Sequence, residues 1–193
     1  MNWLAHLFLS DPAPACRIGN LLPDFVAAST LASLPPEYQH GIVQHRRIDA
    51  YADAHPVFRR SVRRFAPPFR RYGGVLVDIF YDHFLARDWP DFAPTSLPVF
   101  AAEVYASFDA ATPALPADAR AALQHLSRAD WLCSYGELSG IENVLYRLSH
   151  RLRRPFDLAA SVPLFRHEYK AFEADFREFF PQLRAHLGNT GRF

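Results

Sequence analysis

The sequence predicts an all-α protein, and three observations support this fold class. Strict alternation of apolar and polar residues over the length of a strand is rare, and the hairpin dipeptides Asn-Gly and Asp-Gly are absent. Prolines, 16 in number, recur along the chain and divide it into segments of helical length. We therefore expect a single helical domain over residues 1–193, built from about seven or eight helices.

The prolines place the individual helices. Because proline suits the first turn of a helix and breaks its interior, the joints fall beside the prolines. From the N-terminus, these joints lie at residues 12 and 14, 35 and 36, 56, 67 and 68, 90 to 98, 113 and 116, 155, and 163. The stretch from Pro90 to Pro98 is the predicted surface loop. The predicted helices span residues 14–29, 37–54, 57–66, 69–87, 96–109, 117–133, 138–151 and 164–187.

The composition indicates a folded protein of the cytoplasm. Apolar residues make up 50% of the chain and aromatic residues 15%, which argues against disorder. No apolar run approaches the roughly 18 residues of a membrane span, and residues 1–9 lack the features of a signal peptide. The cysteines, Cys16 and Cys133, lie far apart without metal-type spacing, which favours free thiols in a reducing compartment.

Arginines are unevenly distributed, although the net charge is only +1. The chain between Asp53 and Asp78 carries six arginines and no acid, and a second group lies at positions 147, 151, 153 and 154. Each group alone is compatible with a solvated helix face. Both together favour an acidic or phosphorylated partner, because the guanidinium group matches phosphate and carboxylate. The arginines predicted to dock this partner are Arg59, Arg60, Arg63, Arg64, Arg70 and Arg71.

The most informative stretch is residues 75–86, which is apolar except for Asp78, Asp82 and His83. On a helix, Asp78 and Asp82 share one face and His83 lies next to it. Buried carboxylates are costly unless they are paired, protonated or bound to a metal. This helix therefore indicates a cation.

A second helix presents similar chemistry. His45, Asp49 and Asp53 extend the apolar stripe of residues 37–54 into a polar one. The alternatives are a hydrogen-bonded core histidine and an aspartate paired with a buried arginine. Two helices that both carry histidine and carboxylate are typical of metal sites in bundles. Imidazole with several carboxylates suits Mn²⁺, Mg²⁺ or Fe²⁺ better than a structural Zn²⁺.

Two more polar residues lie in apolar segments. Asp24 follows Pro23, and taken alone it is typical of a helix cap. Near two helices with inward acids and histidines, it becomes an additional ligand candidate. His6 is a further candidate, as is Asp53, with a structural, hydrogen-bonded histidine as the alternative for His6.

Four motifs, in this order, resemble those of the bacterial acyl carrier protein phosphodiesterases. They are Asn2-Trp3-Leu4-Ala5-His6-Leu7, Gly19-Asn20-Leu21-Leu22 with Asp24-Phe25-Val26, His45-Arg46-Arg47-Ile48-Asp49 with Asp53, and Asp78 with Asp82-His83-Phe84-Leu85. The resemblance spans nearly the whole chain, including Trp131. One position departs from the family pattern: Phe8 stands where the family carries a second histidine.

The resemblance implies both a fold and an activity. The family is similar to a non-standard branch of the HD-type metal phosphohydrolases, which implies an HD-like helical fold. It also implies hydrolysis of the phosphodiester between 4′-phosphopantetheine and the serine of holo acyl carrier protein. The implied cofactor is Mn²⁺, with Mg²⁺ or Fe²⁺ as alternatives, and the implied partner is acyl carrier protein, with no nucleic acid and no membrane. The rival interpretations are a phosphohydrolase for a small phosphodiester or nucleotide and a non-catalytic helical binding module.

Each polar residue has an expected role under this interpretation. The expected metal ligands are Asp24, His45, Asp78 and Asp82. His83 is expected to be a ligand or the base, and Asp49 to orient His45 or to activate water. Arg46 or Arg47 is expected to clamp the phosphate, because guanidinium donors match its oxygens.

Overall fold

A computed structural model describes residues 1–111 and 115–189, and within these ranges the regular structure is entirely helical, as predicted. Positions 112–114 and 190–193 of the predicted domain lie outside the described residues. Among the helices described, none is both long enough and apolar enough to cross a membrane. The α-helices are α1 (Trp3–Leu9), α2 (Pro14–Gly19), α3 (Ala28–Ser33), α4 (Pro36–Ala54), α5 (Pro56–Arg63), α6 (Gly73–Arg87), α7 (Leu97–Ala111), α8 (Ala117–Arg128), α9 (Trp131–Ser134), α10 (Leu138–Ser149), α11 (Val162–His167) and α12 (Tyr169–Asn189).

Several predicted helices agree closely with the structure. The predictions over 37–54, 57–66, 96–109 and 138–151 correspond to α4, α5, α7 and α10. Proline lies in the first turn of α4 and of α5, as the pattern indicated. The prediction over 69–87 corresponds to α6, preceded by a 3₁₀ turn at Phe69–Tyr72.

The remaining predictions are wrong because each predicted one continuous helix where the structure has two or more shorter ones. Residues 14–29 form α2, a 3₁₀ turn with Pro23 near its start, and the beginning of α3. Residues 117–133 divide into α8 and α9, because Asp130 adopts the left-handed backbone region with φ 43°. Residues 164–187 divide into α11 and α12 near Glu168. Helix α1 was not predicted at all, since its seven residues are too short for a clear periodicity.

Helix α6 lies at the centre of the core. It contacts α1, α5, α10 and α12, which explains why nearly all of its faces are apolar. Phe80 stacks on Phe165 with ring centroids 3.8 Å apart, and Phe84 stacks on Phe176 at 5.8 Å. Each buried phenylalanine contributes about 1.5–3 kcal/mol of transfer free energy. This packing fixes the positions of the polar residues on α6.

Helices α2 and α4 approach each other unusually closely, and two glycines permit this. A Cβ atom on Gly19 would lie 2.2 Å from the carbonyl oxygen of Tyr38, and one on Gly41 would lie 2.1 Å from the carbonyl oxygen of Cys16. Both obstacles are backbone atoms, which cannot turn away. The close approach brings Asn20, directly after α2, next to α4.

We expect Gly41→Ala to destabilise the protein by about 3 kcal/mol or more, because the added methyl group forces α2 and α4 apart. Chemical denaturation would measure the change in the free energy of unfolding. Gly74→Ala is the matched control, since a Cβ at Gly74 meets no atom within 4 Å. That substitution should be neutral or stabilise the helix by up to about 1 kcal/mol. Equal stability of the Gly41→Ala variant and the wild type would contradict the prediction.

Candidate metal centre

His6, His45 and Asp49 bring one ligand atom each to a common point. His6 lies on α1 and the other two on α4, and the three ligand atoms lie within 4.8 Å of one another. Nε2 of His6 is 3.2 Å from Oδ1 of Asp49, and Nε2 of His45 is 3.0 Å from Oδ2. The imidazole rings stack with centroids 4.2 Å apart. Both histidines are buried, whereas the Asp49 side chain is 40% exposed, so the group opens to solvent on one side.

Asn20 orients both histidines. Its side-chain amide donates to the carbonyl oxygen of His6 at 3.0 Å, which leaves its Oδ1 to accept from Nδ1 of His6 at 2.9 Å. Its backbone carbonyl oxygen lies 2.7 Å from Nδ1 of His45. Because a carbonyl oxygen only accepts, Nδ1 carries the proton in both rings. This is how outer residues orient metal-binding histidines in proteins.

The arrangement fits a cation. With Nδ1 protonated, the lone pair of each neutral ring lies on Nε2 and points at an oxygen of Asp49. Two lone pairs facing a carboxylate repel it unless a second proton or a cation lies between them. The donor set of two imidazoles and a carboxylate is one that divalent transition metals accept.

A positive charge already lies at the edge of this group. The α-ammonium of Met1 is 3.1 Å from Oδ1 of Asp49 and 3.0 Å from Oδ1 of Asp78. Burial alone would lower the pKa of this ammonium, but the two carboxylates raise it to about 11. The space between Asp49 and Asp78 therefore accommodates a cation.

Asp24 approaches the same nitrogen of His45 as Asp49 does. Its Oδ2 accepts a hydrogen bond from the indole N–H of Trp3 at 2.9 Å, and its Oδ1 is 3.9 Å from Nε2 of His45. Trp3 thus fixes one oxygen and leaves the other directed toward His45. The side chain is 37% exposed, so it also meets solvent.

The contact between His45 and Asp49 shifts the pKa values of both side chains. Burial alone would lower the pKa of His45, but the hydrogen bond to Asp49 and the charges of Asp24 and Asp49 raise it. Burial alone would raise the pKa of Asp49, but the hydrogen bonds from His45 and His6 and the charge of Met1 hold it well below its usual range. Asp49 is therefore ionised at neutral pH, as a ligand must be.

Two residues predicted for the metal have other tasks in the structure. Asp82 is fully buried, and its oxygens accept hydrogen bonds from the backbone N–H groups of Leu4 and Ala5 at 2.8 and 3.1 Å, so it stabilises the start of α1. His83 is also buried; its Nδ1 donates to the carbonyl oxygen of Tyr135 at 2.8 Å, and its Nε2 lies 2.8 Å from the hydroxyl of Tyr169. These contacts do not support a ligand role for Asp82, or a ligand or base role for His83.

The other predicted residues of α4 lie outside the histidine pair. Asp53 is exposed, and its backbone carbonyl accepts a hydrogen bond from Arg59 at 2.7 Å. Arg46 is exposed and Arg47 is half-buried, and both project from other faces of the helix than His45 and Asp49. The predicted row of three inward residues therefore ends at Asp49.

Some of the predicted docking arginines hold the fold together, and the others have exposed side chains. Arg60 and Arg64 form ion pairs of 2.6 and 3.0 Å with Asp175 of α12, which is only 2% exposed. Arg70 donates to the carbonyl oxygens of Phe65 and Arg63, so it holds its own segment together. The side chains of Arg59, Arg63 and Arg71 are exposed.

Phe8, which stands where the family pattern has histidine, faces away from this centre. Its ring packs edge-on against Trp89 at 5.3 Å and in a tilted arrangement against Phe180 at 6.0 Å, and the guanidinium of Arg184 lies 5.3 Å from its centroid. The phenylalanine at this position therefore contributes to the packing of α1 against α12. It does not change His6, His45 or Asp49, whose ligand atoms converge.

Sequence reasoning missed the contributions of Asn20 and of the Met1 ammonium. Asn20 entered only as part of a motif, although its polar amide in an apolar segment was a usable signal. The ammonium carries no sequence signal. Trp3 entered only as part of a motif, because its hydrogen bond to Asp24 joins segments that are separated in the chain.

Comparisons with known proteins found a matching family and several relatives of the chain. The family model for acyl carrier protein phosphodiesterase matches residues 1–183. Proteins named acyl carrier protein phosphodiesterase from Yersinia pestis and Salmonella agona are 34% and 35% identical to the chain, and the alignments cover 95% and 96% of it and of each relative. A protein with the same name from Enterobacter sp. is 32% identical over 98% of both chains. No solved structure matches the chain.

Proposed function

The chain belongs to the acyl carrier protein phosphodiesterase family, and from this premise we propose that it removes 4′-phosphopantetheine from holo acyl carrier protein. The bond hydrolysed is the phosphodiester between the prosthetic group and the carrier serine. The products are apo carrier protein and 4′-phosphopantetheine. The observation that carries the proposal is the convergence of His6, His45 and Asp49 beside two further carboxylates.

The proposal assigns one divalent ion to Nε2 of His6, Nε2 of His45 and the carboxylate of Asp49. Mn²⁺ is the proposed ion, because a mixed set of imidazole and carboxylate suits it, and Mg²⁺ and Fe²⁺ share much of this preference. When bound, the ion would neutralise phosphate charge and lower the pKa of water, as hydrolysis of a phosphodiester requires. Asp78 is the carboxylate that would complete the site.

The residues around the ion have separate tasks in this proposal. Asp49, whose pKa lies well below its usual range, is a weak base and a good ligand. Asp24 has one oxygen fixed by Trp3 and the other directed to the centre, so it is the residue that we assign to take the proton of the attacking water. Arg46 is exposed on another face of α4 than His45 and Asp49, so we assign it to the approach of the charged substrate and not to the bound phosphate.

The proposed partner is acyl carrier protein, an acidic protein that would approach along exposed arginines. Of the predicted docking residues, the proposal keeps Arg59, Arg63 and Arg71. Steering by exposed charges fades as ionic strength rises, since the Debye length is roughly 8 Å at physiological salt. A cytoplasmic location is part of the proposal, on the ground that Cys16 and Cys133 are both free thiols.

The test is to incubate the purified protein with holo carrier protein and Mn²⁺ and to follow the carrier by mass spectrometry. We expect the mass of the phosphopantetheine group to be lost, and the loss to stop when a chelator removes the metal and to resume when Mn²⁺ is restored. A parallel incubation with free nucleotides tests the rival substrate class. Unchanged carrier mass in the presence of Mn²⁺, together with cleavage of a nucleotide, would refute the proposal.

A further inference from the structure

A groove lies on the far side of Trp3 from the metal centre. It encloses about 320 Å³, which falls in the range of sites for small organic ligands, roughly 300–1,000 Å³. Helix α8, the start of α9 and the end of α10 surround it, and Trp3 and Phe25 line it.

The aromatic floor of this groove is held rigidly. The rings of Trp3 and Trp131 stack with centroids 4.9 Å apart, and Phe25 packs on Trp3 at 5.3 Å. The guanidinium of Arg147 lies 5.3 Å from the centroid of Trp131, as in a cation–π contact. The ring of His125 meets Trp131 edge-on at 5.6 Å. These contacts place flat apolar surfaces inside the groove and hydrogen-bond donors around it.

One tryptophan connects the groove with the metal centre. The indole N–H of Trp3 holds Asp24, whose other oxygen lies 3.9 Å from His45, while the ring of Trp3 forms part of the groove. A substrate with its phosphodiester at the histidines therefore has this groove as a neighbouring cavity. A chain attached to the phosphate can follow the ring of Trp3 into it.

We infer that this groove binds the pantetheine arm of the substrate during hydrolysis; the inference rests on the proposed function. The arm is a narrow chain with a branched alkyl group, two amides and a thiol, and beyond its phosphate it carries no charge. Apolar parts of such a chain pack on Trp3, Phe25 and Trp131, and Arg147 and Arg151 offer donors to its amide carbonyls. A single chain fits 320 Å³, whereas a helix of the carrier needs an open surface.

The most specific test places a large side chain in the groove by substituting a residue that lines it. Ala122, half-buried on α8, lines it, whereas the neighbouring Ala121 is exposed and does not. We expect Ala122→Phe to raise KM for holo carrier protein by about 10-fold or more. Mn²⁺-dependent hydrolysis of bis(4-nitrophenyl) phosphate, which has no arm, should stay at the wild-type rate, and the control Ala121→Phe should leave both activities unchanged. A wild-type KM for holo carrier protein in the Ala122→Phe variant would overturn the inference.

Direct binding separates this inference from the proposed function. Pantetheine should quench the fluorescence of Trp3 and Trp131 in the wild type and do so more weakly in Arg151→Ala, a change at an exposed side chain that leaves the core intact. Failure of the wild type to cleave holo carrier protein would refute the proposed function, while saturable quenching by pantetheine would still support the groove. Quenching by adenosine monophosphate but not by pantetheine would overturn the inference in favour of a nucleotide.

Discussion

Asp49→Asn should abolish hydrolysis, with a fall in kcat of about 10³-fold or more, and should abolish tight binding of Mn²⁺. Asp49 is the only residue that contacts Nε2 of both His6 and His45 within the described part of the chain. Its replacement removes the carboxylate around which the ligand atoms converge. A bound metal stabilises the charge of the transition state by several kcal/mol. Because each tenfold change in rate corresponds to about 1.4 kcal/mol, losing the metal should lower kcat by about 10³-fold or more. Steady-state assays on holo carrier protein and calorimetric titration with Mn²⁺ would measure both effects.

Asp53→Asn is the matched control for this change. It lies one turn further along α4 and the sequence pattern places it in the same row, but the structure leaves it exposed and outside the histidine pair. We expect wild-type Mn²⁺ affinity and kcat in Asp53→Asn. Loss of metal binding in the Asp53 variant with retention in the Asp49 variant would mean that the metal lies elsewhere on α4.

Asp82→Ala should cost about 3 kcal/mol of folding free energy and lower Tm by about 6–12 °C. The two backbone N–H groups that Asp82 binds belong to Leu4 and Ala5, which are fully buried, so neither can turn to water. Each buried donor without an acceptor costs about 1–3 kcal/mol. Thermal unfolding followed by circular dichroism would measure the loss. Asp78→Ala, a change on the same face of α6 with a partly exposed side chain, should alter Tm much less and kcat much more.

The stabilisation from Asp82 should depend on pH. Burial raises the pKa of Asp82 to about 8, against the hydrogen bonds from Leu4 and Ala5 and the charge of the Met1 ammonium, while Asp78 adds to the rise. The folded protein therefore retains the proton after the unfolded chain, with its usual aspartate pKa of about 3.9, has lost it. The stability difference between wild type and Asp82→Ala should be largest below about pH 4 and should shrink toward pH 8. A difference that grows over this range would contradict the account.

The sequence predicted most of the secondary structure because proline acts locally. The long helices α4 and α6 were predicted to within a few residues, since a proline or a pair of prolines stands before each of them. The breaks near Asp130 and Glu168 were missed, because neither is marked by a proline or glycine at the break itself.

The sequence predicted part of the arrangement of the candidate site. It predicted that His45 and Asp49 lie together, because they are four residues apart on one helix and their mutual contact follows from that spacing. Asp82 shares the same kind of pattern with Asp78, yet it binds the N-terminus of α1, a helix 78 residues away from it in the chain. Spacing within a helix gives the face on which a residue lies. It does not give the partner across that face.

Crystals grown with Mn²⁺, and diffraction data collected at the manganese absorption edge, would test the central claim most directly. We expect an anomalous difference peak bounded by Nε2 of His6, Nε2 of His45 and the carboxylate of Asp49, and no such peak in crystals of the Asp49→Asn variant. A manganese peak at Asp82 and His83, or the same peak persisting in Asp49→Asn, would contradict the assignment of the metal centre.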